Sequence, residues 1–444
     1  MSLTLSFAER KQLPFSDILK FPDSGVGENF TWLSKIRETA FTRFCDATLP
    51  NRKVEHWKYN DLNFLTGQAY KLPCPSSSSE QSLSKPLRAK IPLDNALELD
   101  FIDGVLITEL NNLSLPQGLE VTSFADANND QQQIIKTHFK KQSDSKNLFV
   151  DLNDALCSNG ILIRVDAKAE LSAAIYLRYF SSGSNEASVT SNRVIVELGE
   201  ASFLNLIEQF ESAQSNQAQL SLQQTSVALG DNSQLKHCRL NLEAESAQQV
   251  SAVRASLAKS AVFNGFYLGL GSQLNRTDID IAHTDQHALA KLTGIYLPSN
   301  KQAIDYHTNI EHQQPHCKTR EVFRGIIADQ ASATFNGKIH IFQDAQKSDA
   351  QLNNKNLLLT NQAEVNTKPE LEIYADDVIC AHGATVAQLD NKSLYYMQSR
   401  GINHEKARKI LSFAFIRELL THLEDDAIEG FLSSKFSGYL SKIS

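Results

Sequence analysis

The apolar residues of this chain change their spacing twice. In the first 70 residues they recur at helical intervals: "NFTWLSKIRETAFTRFCDATL" (29–49) sets Leu33, Ile36, Ala40, Phe41 and Phe44 on one stripe and predicts an amphipathic helix. From about residue 160 the period drops to two. "NGILIRVDA" (159–167), "AAIYLRYF" (173–180), "RVIVELG" (193–199), "ASFLNLIEQF" (201–210) and "QLSLQQTSVALG" (219–230) alternate or are rich in β-branched residues, and predict strands. From 396 the spacing is helical again. Asn403 reads as an N-cap, with Glu405 in the first turn, where the helix dipole favours an anion. The helix that follows, about 404–424, carries two apolar stripes. Ala407, Ile410, Leu411 and Ala414 lie on one face; Phe413, Ile416, Leu420 and Leu423 lie on nearly the opposite one. A surface helix needs one stripe. The second either closes a small domain around the helix or meets a partner.

These changes divide the chain into a mixed, mainly helical N-terminal domain (1–150), a β core (151–395) and a helical C-terminal domain (396–444). The serine-rich stretch "PSSSSEQSLSKP" (75–86) predicts a flexible surface loop. Residues 87–150 mix weak strand and helix signals.

The β core repeats itself. A small or acidic turn precedes an outgoing strand at 198–206, 229–240, 257–268, 285–297, 328–339 and 375–386. The first four begin roughly 28–31 residues apart and the last two are spaced wider. Strand–turn units of this size predict stacked rungs of a parallel β-helix. A sandwich would place hairpin turns every 8–12 residues or so, although Asn-Gly at 264–265 and 336–337 leaves that alternative open.

Composition narrows the function. A net charge of −8 and a pI near 5.9, with no basic run, argue against a nucleic-acid partner. No apolar run approaches the ~20 residues that cross a bilayer. "MSLTLSFAERKQLPF" lacks the layout of a signal peptide, so a cytoplasmic protein is expected. The six cysteines (45, 74, 157, 238, 317, 380) lie far apart, which fits reduced and mostly buried thiols and no CxxC cradle. There is no P-loop and no nucleophile elbow, and Asp376–Asp377 is an adjacent pair whose side chains would point opposite ways on a strand. No complete catalytic set emerges, so a non-enzymatic role is expected.

The candidate chemistry is concentrated between 307 and 400. His307, His312, His316, Cys317, His340, Cys380 and His382 supply ligands suited to iron, sulfur or a transition metal. Pro315 breaks any helix between His312 and His316, which weighs against a helical zinc pair and favours solvated rung-end histidines. Cys380 and His382 share one strand face, about 7 Å apart at the backbone. Two ligands cannot hold a cluster, so the remainder would come from elsewhere or from another chain. A buried cysteine beside a satisfied core histidine is the plain alternative. A secreted β-helix acting on polysaccharide would need clustered carboxylates and a leader. A free-standing metal binder would need more ligands at one place.

Several blocks carry a resemblance. "EHWKYNDL" (55–62), "PHCKTREVFRGI" (315–326), "FNGKIHIFQDAQKSDAQLNNKNLLLT" (335–360), "TKPELEIYADDVICAHGATVAQLD" (367–390) and "YYMQSRGINHEKARKILSFAF" (395–415) are similar to the SufB/SufD family of iron–sulfur cluster assembly, and "CAHGATV" has the SufD-like form. The resemblance covers about 150–420 and touches 52–62. It implies a right-handed parallel β-helix between helical end domains. It also implies a scaffold role in a SufB–SufC–SufD complex: pairing with a SufB-like homologue through the β-helix, and docking of a SufC-like ATPase on the C-terminal helices, where Phe413, Ile416, Leu420 and Leu423 are the candidates. It places His382, with Cys380 in the same motif, at the pairing interface, and gives the main cysteine ligand to the partner. Ala381 stands where the family commonly has a polar residue. The implied cofactor is a transient iron–sulfur cluster in the complex and none in the isolated chain. Self-pairing of the lone chain is compatible with the same surface.

Overall fold

The alternation from residue 159 builds a coil of parallel strands. This is seen in the computed structural model, described here for residues 31–60, 62–65, 69–72, 90–142, 147–157, 159–182, 186–213 and 218–441. The predicted loop at 75–86 lies outside the described residues. The elements before the coil are α1 (Ser34–Asp46), β1 (Leu97–Ile102), β2 (Val105–Leu106), β3 (Leu119–Ser123), α2 (Asn129–Gln142) and α3 (Leu148–Leu156). The coil itself runs β4 (Asn159–Val165), β5 (Ile175–Ser181), β6 (Ser188–Leu198), β7 (Phe203–Ser212), β8 (Gln219–Leu229), β9 (Gln234–Asn241), β10 (Ala247–Leu257), β11 (Val262–Gly269), β12 (Leu274–His283), β13 (Leu289–Tyr296), β14 (Ala303–His312), β15 (Lys318–Ile327), β16 (Ser332–Ile341), β17 (Asp349–Leu358), β18 (Glu364–Ile373) and β19 (Ile379–Gln388). Helices α4 (Asn391–Ser399), α5 (His404–Leu420) and α6 (Asp426–Leu440) close the chain.

Odd-numbered coil strands stack in one ten-stranded sheet and even-numbered ones in a nine-stranded sheet. Within the coil every pairing is parallel. This excludes the sandwich. The weakly patterned segment before the coil supplies a cap, in which β1–β2 and β3–β4 pair antiparallel.

The corners explain the sequence repeat. Lys168, Ala201, Asn232, Ser260, His287, His316 and Lys347 each take a left-handed backbone, with φ between 52° and 65°. Each donates its N–H to a carbonyl in the turn of the next rung: Ala201 to Asp231, Asn232 to Lys259, Ser260 to Gln286, His316 to Gln346. One corner of the coil is thus a hydrogen-bonded ladder of turns. Asp329 belongs to a different corner, with Ser272 and Asn300. The repeat read at 328–339 was therefore half a rung out of phase, and the true corners at 313–317 and 346–348 were passed over because they lack the small, acidic signature.

The two sheets bury one another's inner faces, from Leu99 and Ile161 through Phe263 and Ile310 to Leu352. Tight stacking selects glycine where an aromatic lies on the neighbouring strand. A Cβ on Gly325 would come 2.1 Å from the Tyr296 ring, and one on Gly294 would come 2.1 Å from the Phe323 ring. Both glycines sit in register beside those aromatics.

The end helices cover the outer faces. Every residue of α3 is buried, between α1 and the outer face of the nine-stranded sheet. On the other sheet, Ile416, Leu419, Leu420, Leu423, Ile428, Leu432, Phe436 and Leu440 pack on Tyr176, Cys238, Leu240, Leu268, Ile295 and Ile326. Arg324 on β15 locks this contact by donating to the Phe415 carbonyl at 2.6 Å and pairing with Glu418. The stripe read as a docking surface is therefore occupied within the chain. Ile416 and Leu420 are fully buried and Leu423 nearly so, and Phe413 packs half-buried on the same cluster. Of the first stripe, Ile410 and Ala414 are exposed, Leu411 is half-buried and Ala407 is buried.

Candidate functional site

The seven histidines and cysteines of the 307–400 stretch do not converge. Among the described residues no group of three or more His, Cys, Asp or Glu side chains is arranged to hold a metal ion. His307 and His340 project outward from β14 and β16. His307 lies 2.9 Å from Asp305 Oδ1, and His340 pairs with Glu372. His316 is a corner residue stacked on His287, with centroids 4.8 Å apart. Cys317 is buried, and burial pushes its thiol up to about 11. His312, expected in solvent, is instead wholly buried in the lumen, within hydrogen-bond distance of Ser348 and Thr319 and 4.4 Å from the His283 ring. Strand alternation sent His312 inward, while the turn set His316 at the corner.

Cys380 and His382 stand apart from these. They lie on β19, the last strand of its sheet, in register with Ala350 and Leu352 of β17. Both β17 partners face the core. Cys380 and His382 therefore continue the inward-facing row, but no rung covers them: His382 is exposed and Cys380 half-buried. Burial raises the Cys380 thiol above its ordinary range, so it is protonated near neutral pH. The free edges of β18 and β19 and the apolar side chains around them surround this pair. Ile373, Tyr374, Ile379 and Val386 are all exposed, Ile379 by 68%. The sequence reading missed this patch. Its signal was apolar residues on both faces of the final strands, which a covered antiparallel strand would not show.

Two further features surround the end. The "EHWKYNDL" block is a clamp on the outer face of the nine-stranded sheet. Arg276 lies 3.9 Å over the Trp57 ring and donates to Asp305 Oδ2 at 2.8 Å, and Asn60 donates to the same oxygen. His56 meets His307, and Glu55 pairs with Lys368 of β18. A polar groove of about 1260 Å³ runs beside the clamp, lined by Arg254, Asp280, Glu311 and Lys338 among others.

Inside the lumen, Glu321 occupies the same inward row as His382, with Leu352 between them. It is 1% exposed and accepts from Thr308 Oγ1 at 2.7 Å. Burial without a counter-charge pushes its carboxyl up to about 8. The folded value lies above the unfolded one, near 4.3. The stability tied to the proton is therefore complete below about pH 4 and is lost as the pH rises through about 8. Glu321→Gln, which keeps the shape and stays neutral, should match the parent's Tm at pH 5 and exceed it by about 3–8 °C at pH 9. Parallel Tm curves for the two proteins across that range would rule out a lone buried acid here.

Comparison with known proteins completes the site. The family model described as "SUF system FeS cluster assembly, SufBD core domain" matches residues 179–415, and the SufBD protein N-terminal region matches 26–177. The chain is 28% identical to the iron–sulfur cluster assembly protein SufD of Escherichia coli, over 86% of this chain and 87% of that protein. It is 26% identical to an iron–sulfur cluster assembly SufBD family protein of Synechocystis, over 86% and 85%. With SufD of Bacillus subtilis it shares 22% over 90% and 92%. A two-sheet parallel coil with an open end carrying Cys380 and His382, matched over core and N-terminal region alike, places this chain in the SufBD family of the SUF iron–sulfur cluster assembly system, as a SufD-like member.

Proposed function

We propose that the chain is a non-catalytic scaffold subunit, working in the cytoplasm, whose open coil end pairs with a related SufB-like solenoid. Cys380 and His382 lie at that seam as two of the ligands of a transient iron–sulfur cluster, and the partner supplies the rest. The observation that carries this reading is the uncovered last rung. Unpaired strand edges and exposed apolar side chains form a surface that another sheet can continue, and the two soft ligands sit within it. A SufC-like ATPase would dock on the C-terminal helices. The surface available there is Tyr395, Tyr396 and Ile410, exposed by 74%, 59% and 41%, because the second stripe of α5 is consumed by the fold. ATP-driven movement of that subunit would act through its different affinity for two states of the scaffold.

Co-expression of the tagged chain with a SufB-like and a SufC-like protein tests the assembly; capture of neither would refute it. His382→Ala probes the seam. The exposed imidazole adds little to the core, so the variant should fold with a Tm within about 2 °C of the parent and still capture its partners. Cluster formation by the purified complex, followed by its visible absorbance under anaerobic supply of iron and sulfide, should fall at least about tenfold. Undiminished cluster formation would remove His382 from the chemistry.

A further inference from the structure

One corner of the coil carries a pair of ligands that the open end does not use. His287 and His316 occupy the same place on consecutive rungs, in the turns before β13 and β15. Both take the left-handed backbone, at φ 63° and 64°. Each N–H is held by the rung beyond: His287 donates to the Pro315 carbonyl at 3.4 Å and His316 to the Gln346 carbonyl at 2.9 Å. Two residues with one backbone conformation, one strand spacing apart, send their side chains out in the same direction. The rings accordingly lie within 16° of parallel, with centroids 4.8 Å apart, and both residues are exposed.

Such a pair either packs for contact alone or shares an ion. Contact gains little here, since exposed rings keep most of their surface in water. The spacing suits an ion. An imidazole nitrogen binds zinc at about 2.0–2.1 Å, so two of them at a tetrahedral angle stand about 3.4 Å apart. Nearly parallel rings 4.8 Å apart reach that separation by tilting about their side-chain bonds, with the corner backbone left in place. The donor set selects the metal. Imidazole suits zinc, nickel and copper(II), whereas magnesium and calcium take oxygen ligands. Cys317, the next residue, takes no part: it is buried in the core, and its thiol donates to the Asp285 carbonyl at 3.2 Å. Two protein ligands leave the other positions to water, which makes a reversible surface site and not a closed structural centre.

We propose that His287 and His316 form a two-imidazole clip on the corner of the coil, which binds one borderline divalent transition-metal ion. The clip belongs to the lone chain, and its test needs no partner. Zinc titrated into the full chain by calorimetry should reveal one site that His287→Asn and His316→Asn each weaken by at least about tenfold, because the rungs hold the second imidazole at a high effective concentration. Asparagine tolerates the left-handed backbone, and Asn232 already fills the equivalent corner of an earlier rung. The double variant should lose little more than either single one, since the first loss already breaks the clip. Magnesium at the same concentration should leave the site empty. A further variant moves the pair. Ser260 is the corner residue one rung before His287. Adding Ser260→His to His316→Asn therefore rebuilds two neighbouring corner imidazoles and should recover zinc binding. Binding that survives in the single variants, losses that add in the double variant, or no recovery with Ser260→His would each overturn the clip.

Discussion

Placing lysines at the two ends of the last strand, Ile379→Lys with Val386→Lys, should weaken capture of a SufB-like partner by at least about 100-fold while the Tm moves by no more than about 2 °C. The two side chains are 68% and 46% exposed in the lone chain, so neither contributes much to its folding. A partner strand paired along this edge sets a side chain beside each of them, Ile379 on the outer face and Val386 on the inward one, and so covers part of both. Losing about 1.5–3 kcal/mol of apolar burial at each site, and setting charges on a strand edge, together exceed the roughly 2.8 kcal/mol that corresponds to 100-fold. Lysine on an exposed edge is also how soluble proteins discourage strand addition. Titration of the variant against the purified partner reads the effect directly. Affinity equal to that of the parent would mean that the partner sits elsewhere, and the reading of the open end would fall with it.

The second large effect lies at the other end of the molecule. Asp154→Ala should destabilise the protein by about 3–5 kcal/mol in urea unfolding. Asp154 on α3 pairs with Arg193 on β6, and both side chains are essentially without solvent. The guanidinium also donates to Gln224 Oε1 at 3.0 Å and lies 3.8 Å over Phe139. Truncating the aspartate leaves the arginine charge uncompensated inside the protein. Replacing both members, Asp154→Leu with Arg193→Met, removes that charge along with its partner and should recover most of the loss. A single variant within about 1 kcal/mol of the parent would mean that water reaches the arginine.

The fold was legible where one physical rule acted alone. Alternation and rung-length repeats revealed the parallel coil, because a strand between two sheets has only two faces to assign. Strand geometry also put Cys380 and His382 side by side on one face of one strand, and the structure has them so on β19. Elsewhere a second rule intervened. The two stripes of α5 are equivalent on a helical wheel. Which of them the chain keeps for itself was decided by the ten-stranded sheet, through Ile295, Ile326 and the Arg324 lock. His312 reads as a loop residue beside Pro315, yet it ends a strand and faces the lumen. Corner phase could not be read at His316 or Lys347, since a left-handed residue need not be glycine or asparagine when a carbonyl of the next rung holds its N–H. The corner pair was hidden as well. His287 and His316 lie in separate turns of the sequence, and only the stacking of rungs joins them.

The ladder of corner turns makes the coil a ruler. Each rung advances the axis by one strand spacing, about 4.8 Å, and its corner is fastened by the same backbone bond as its neighbours. The distance from the tryptophan clamp to Cys380 and His382 at the tip is therefore graduated in fixed steps. Excising one whole step, from one corner residue to the next, would shorten the reach by one graduation and leave the last strand as it is. A cut of an odd number of residues inside a strand would instead turn the rest of that strand onto the wrong face.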